Sequence, residues 1–125
     1  MGDLLRHSVV VRHARTQFRH RPSAEAALAA LAQALAREPD ARLLYSDEDK
    51  LDESGLRCLP YFKPDFSPAL LATQNYIGHL LALRADLMQA LGGFREGTDG
   101  SQDYDLVLRA SEATRAIVHV PQVLY

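Results

Sequence analysis

Apolar positions along this chain fall into short blocks separated by polar turns, and the spacing inside each block predicts its element. Three consecutive Val in "HSVVVRHA" (7–14) predict a short strand, followed by the polar connector "RTQFRHRPS". Residues 24–37 are dominated by Ala and Leu, the strongest helix formers, with Ser23 placed to cap. Leu28, Leu31 and Leu35 recur at i, i+3 and i+7, which predicts a buried stripe. Pro39 disfavours helical geometry at Glu38 and ends that helix. "RLLYS" (42–46) then reads as a buried strand and residues 47–60 as a loop.

Ser67-Pro68 predicts a second helix start, with Ser67 as cap and Pro68 in the first turn. "YIGHLLALR" (76–84) has the apolar density of a buried strand, and "ADLMQAL" (85–91) of a short helix stopped by Gly92-Gly93. "REGTDGS" is a loop. "QDYDLVLRASE" (102–112) fits a helix with Leu106, Val107 and Leu108 partly buried, and "AIVHVP" (116–121) fits a last strand that "QVLY" continues. Strands alternating with helices predict the α/β class, in which ligands gather where strands end at their carboxyl side.

Composition changes this picture little. A length of 125 residues suits one domain, and 47% apolar with 24% charged residues is ordinary for a soluble globular chain. The net charge of −2 gives no global field selecting nucleic acid. The charge is uneven, however. Residues 1–22 carry Arg6, Arg12, Arg15, Arg19 and Arg21 against Asp3, a basic strand-and-arm ahead of residues 23–125. Cys58 stands alone, so no internal disulfide forms, and it reads as a buried or semi-buried apolar residue. No stretch has the ~20 apolar residues of a membrane span, and no signal-peptide core leads the chain. The expectation is a cytoplasmic protein without a transmembrane segment.

Chemistry concentrates in two acidic motifs. "LLYSDEDKLDESG" (43–55) leads an apolar run into five acids between Asp47 and Glu53. In extended backbone Asp47 and Asp49 project to one side, and two converging carboxylates suit a hard cation such as Mg²⁺, Mn²⁺ or Ca²⁺. On spacing alone a solvated turn explains the acids as well. An EF-hand is excluded, because Asp52 falls where the turn glycine must be. In "GSQDYDLVLR", Asp103 and Asp105 fall in the first turn of a predicted helix, where the helix dipole favours negative charge. Arg109 stands four residues after Asp105, at ion-pair spacing.

"YSDEDKLD", "PYFKPDFSPALL", "QNYIGHLLALR", "LGGFR", "GSQDYDLVLR" and "HVPQVLY", in this order, closely resemble the later part of the catalytic domain of family 2 glycosyltransferases, which have the GT-A fold. The resemblance covers roughly residues 24–125. It implies an incomplete GT-A-like mixed sheet flanked by helices. It also implies inverting transfer of a sugar from a nucleotide-diphospho-sugar donor to an acceptor hydroxyl. Asp49 would be the main ligand of Mn²⁺ or Mg²⁺ with Asp47 assisting, and Asp103 the catalytic base. Gly100, Ser101 and Gln102 would shape the acceptor loop, with Asp105 and Arg109 beside them on the substrate side. Tyr76, Phe94 and Tyr104 read as packing residues. Lys63 and Asn75 fall in family-like stretches without an assigned role.

The family domain is longer. It begins with strand–helix units that hold the nucleotide, where only "HSVVVRHA" stands here, and it tends to continue past "VLY" into "HWR". Two expectations follow: a transferase domain whose nucleotide-recognition part lies elsewhere, or a non-enzymatic α/β module that binds a partner or a cation. A truncated sheet exposes edges, so self-association is expected, with "HSVVVRHA" able to cover one edge.

Overall fold

The computed structural model describes residues 23–125 and the backbone of residues 9–12; the rest of the basic arm lies outside the described residues. The elements in chain order are β1 (Val9–Arg12), α1 (Ala24–Arg37), β2 (Leu43–Leu51), β3 (Arg57–Tyr61), α2 (Pro68–Thr73), β4 (Leu81–Arg84), α3 (Ala85–Ala90), α4 (Gln102–Ala113) and β5 (Ile117–Val123). The fold is α/β. Its sheet is mixed, because β2 pairs antiparallel with β3 and β4 but parallel with β5, and β1 closes onto β4 antiparallel.

Side-chain alternation along β2 and β4 separates two apolar layers. Leu43 and Tyr45 of β2, with Leu81 and Leu83 of β4, face α2, α3 and α4 through Leu71, Leu87, Leu106, Val107 and Ala110. Leu44 and Ala82 point the other way, onto α1 and Val120. Among the described residues no helix is long and apolar enough to cross a membrane.

Local signals in the sequence set the helix starts. The Ser23 side chain accepts the Ala26 N–H at 3.1 Å, and Ser67 accepts that of Leu70 with Pro68 in the first turn. The stripe predicted on α1 is rotated. Leu31 is buried with Ala27, Ala30 and Ala34, whereas Leu28 is 53% exposed. Alanines let the helix lie close to the sheet, so the small-residue face wins over the Leu28 position.

Three strand boundaries also differ from expectation. Strand β2 runs through the acids to Leu51 rather than stopping at Ser46, and residues 57–61 form β3 instead of loop. The turn between them is built by Asp52, whose Oδ1 accepts the Ser54 and Leu56 N–H groups and the Ser54 hydroxyl. Strand β4 is confined to Leu81–Arg84. Tyr76 and Ile77 are buried outside any strand, because that segment wraps around a buried lysine, Lys63.

Candidate functional site

Asp47 of β2 becomes buried because its partners come from distant chain segments. Asp47 is 3% exposed, and its Oδ1 accepts the Lys63 N–H at 2.8 Å. The same oxygen lies 2.7 Å from Nε2 of His119, which β5 sets in register with Tyr45. The other nitrogen of that ring lies 3.2 Å from exposed Asp65, and the ring stacks on Tyr45 at 5.0 Å. Tyr45 in turn donates its hydroxyl to the Pro64 carbonyl at 2.6 Å. Burial pushes the Tyr45 phenol above its ordinary pKa, so it stays a donor.

Lys63 is the hub of this half. Its side chain is inaccessible, and Nζ donates to the carbonyls of Ile77 and His79, the latter at 2.6 Å. Glu48 lies 3.6 Å from the same Nζ. Burial lowers the Lys63 pKa, against the opposing attraction of Glu48 and Asp47. Glu48 also accepts the His79 N–H at 3.0 Å. Gly78 permits this approach, since its φ is +49° and a Cβ there would stand 3.1 Å from Glu48 Oε2.

Asp49 differs. It is 7% exposed and its Oδ2 is paired with Arg57, but its Oδ1 is buried with no hydrogen-bond partner. It lines a cleft of about 200 Å³ together with Glu48, Leu59, Tyr61, His79 and Tyr125. The His79 ring stacks on Tyr125 at 4.7 Å, and its Nε2 lies 3.7 Å from Oδ2 of Asp103. His79 thus stands between the cleft of the first acidic motif and the key acid of the second.

The second motif opens α4. Gly100 precedes it at φ +85°, Ser101 is the N-cap residue without a side-chain cap bond, and Gln102 is the first helical residue. The Asp105–Arg109 pair forms at 2.8–2.9 Å, as its spacing predicts. Arg109 also donates to the carbonyls of Leu91 and Gly93 at 2.8 Å, which fastens α4 to the end of α3. Its hydrogen bonds therefore serve the scaffold beside the site. Tyr76 packs at 1% exposure and accepts the Ser67 N–H, and Tyr104 donates to the Leu71 carbonyl. Phe94 is 42% exposed.

A buried carboxylate oxygen without a partner suits a hard divalent cation that keeps most of its waters or takes phosphate oxygens. Asp49 Oδ1 is such an oxygen among the described residues. Among the described residues no three His, Cys, Asp or Glu side chains are grouped to hold a metal by themselves. His79, His119 and Glu48 went unrecognised in the sequence. The only local hints were their places in the "QNYIGHLL", "HVPQVLY" and "SDED" stretches.

No family model matches the chain. It is 50% identical over 99 residues to the O-antigen biosynthesis protein RfbC of Myxococcus xanthus, a match that covers 79% of this chain and 8% of that protein. It is 46% identical over 101 residues to the uncharacterized protein y4gI of Sinorhizobium fredii (strain NBRC 101917 / NGR234), covering 79% of this chain and 11% of that protein. The chain thus spans about a tenth of the length of these relatives.

Proposed function

We propose that this chain is a glycosyltransferase domain of the family 2, GT-A type, which transfers a sugar from a nucleotide-diphospho-sugar to an acceptor hydroxyl with inversion. The observation that carries the reading is the unpartnered buried oxygen of Asp49 in a cleft that His79 joins to Asp103. The similarity to a protein named for O-antigen biosynthesis supports a role in saccharide assembly.

Asp49, with Asp47 behind it, would hold Mn²⁺ or Mg²⁺, which supplies Lewis-acid neutralisation of the departing diphosphate. Asp103 takes the proton from the acceptor hydroxyl as that oxygen attacks the anomeric carbon opposite the leaving group. Gly100, Ser101 and Gln102 shape the acceptor side. The Asp105–Arg109 clamp holds that end of α4 against α3, which keeps the base in place.

The experiment is thermal denaturation with Mn²⁺ and a nucleoside diphosphate. Stabilisation by the nucleotide only when metal is present, lost in Asp49→Ala, is the expected result. A second reading, a non-catalytic α/β module that binds a cation or a partner, draws on the protein partners that already occupy one oxygen of each aspartate. Stabilisation by Mn²⁺ with no further effect of any nucleotide would select it.

A further inference from the structure

Leu59 is a backbone outlier at the rim of the Asp49 cleft. Its φ is +48°, a left-handed conformation that a branched side chain adopts only at a cost. The strand register shows why it sits there. Glu48 faces Tyr61 and Lys50 faces Cys58, so Leu59 and Pro60 together stand against the single residue Asp49. This is a bulge in β3, a device that re-aims side chains beside sites.

Among the described residues the strain is not repaid by packing. Leu59 is 70% exposed, yet it lines the same cleft as Asp49, whose Oδ1 has no hydrogen-bond partner. Asn or Gly would hold the same backbone more cheaply. An exposed leucine kept in a strained conformation over a cleft points to a contact made only when the cleft is filled. The cleft is lined by charged Glu48, Asp49 and Lys50 and also by Leu59 and the Tyr61 ring. Leu59 and Tyr61 suit an uncharged ring, and an anionic group would meet Asp49 only through a divalent cation.

We propose that Leu59 is a specificity-determining residue: its side chain packs on the uncharged ring portion of a phosphorylated ligand whose anionic end would reach Asp49 through a divalent cation. This rests on the reading of the cleft as a donor site.

The test compares the full chain with Leu59→Asn and Leu59→Met by thermal shift. The probes are Mn²⁺ alone, Mn²⁺ with pyrophosphate, and Mn²⁺ with UDP, GDP or dTDP. Leu59→Asn is expected to melt no lower than the parent chain, because Asn tolerates the left-handed backbone. It should respond equally to Mn²⁺ and pyrophosphate but bind the preferred nucleoside diphosphate about tenfold more weakly, the scale of one lost apolar side-chain contact. Leu59→Met should retain that affinity. Undiminished nucleotide affinity in Leu59→Asn overturns the contact while leaving the donor site standing. A lower melting temperature of unliganded Leu59→Asn also overturns it, since Leu59 would then serve the fold. Absence of any nucleotide effect in the parent chain overturns the donor-site reading and the Leu59 contact together.

Discussion

Asp47 and Asp49 lie two residues apart on one strand, both almost fully buried, yet their surroundings divide them. Asp47 is enclosed by groups that need it: a backbone N–H of Lys63 and the ring of His119, both nearly inaccessible. Asp49 has a half-exposed arginine on one oxygen and nothing on the other. A motif that looks symmetrical as "DED" is therefore asymmetrical in its surroundings. One carboxylate is bound by two distant partners, while the other, at the edge of a cleft, has one oxygen without a hydrogen-bond partner.

The sharpest way to break this contrast is to remove the hub of the braced half. Lys63→Met should cost about 3 kcal/mol or more, read from the urea midpoint, because Glu48 and two carbonyls lose a buried cation. A loss under about 1 kcal/mol would show that Lys63 is dispensable to the brace. Next in size, Asp47→Ala should cost about 2 kcal/mol by leaving the Lys63 N–H unpaired. Asp49→Ala should stay within about 1 kcal/mol. Equal losses in the two variants would erase the division.

Tyr45→Phe, on the braced side, should cost about 1 kcal/mol at neutral pH through the lost bond to Pro64. The Tyr45 pKa is raised on folding, so its contribution is complete below the unfolded value of about 10. Above that pH the unfolded chain ionises first, and the contribution falls away. The stability gap between the two proteins should accordingly shrink in alkaline denaturation series; a constant gap would place the phenol in water-like surroundings. The smallest effect falls on the open side. Arg57→Gln should change stability by less than about 1 kcal/mol while tightening Mn²⁺ binding, since Arg57 competes for Asp49. Weaker Mn²⁺ binding would mean that Arg57 helps to shape the site.

The same division explains what could be read from the sequence. Helix α1 was legible to its boundaries because its signals are local: the Ser23 cap, the Ala/Leu run and Pro39. The Asp105–Arg109 pair was legible for the same reason, as two positions on one helix face. The continuation of β2 through the acids was hidden. Its burial depends on Lys63 and His119, 16 and 72 positions away, and hydropathy carries no record of such partners. Strand β3 was hidden for the opposite reason. It has almost no buried face, so no apolar alternation marks it. In "YIGHLLALR" the apolar density was real, but its first half encloses an ammonium group instead of pairing in the sheet.

The parallel pairing of β2 with β5 has a kinetic consequence. The contact between Asp47 and His119 closes a loop of 72 residues, whereas β2 and β3 are joined by a short hairpin turn. Loop-closure entropy delays contacts between distant segments, so the hairpin carrying Leu59 forms early and the docking of β5 comes late. Mutations along β5, such as Val120→Ala, should speed unfolding and leave the folding rate almost unchanged; a slowed folding rate would place β5 in the nucleus. Until that strand arrives, Asp47 lacks His119, while Arg57 of the same hairpin is already within reach of Asp49. The surroundings that divide them are complete only once β5 has docked.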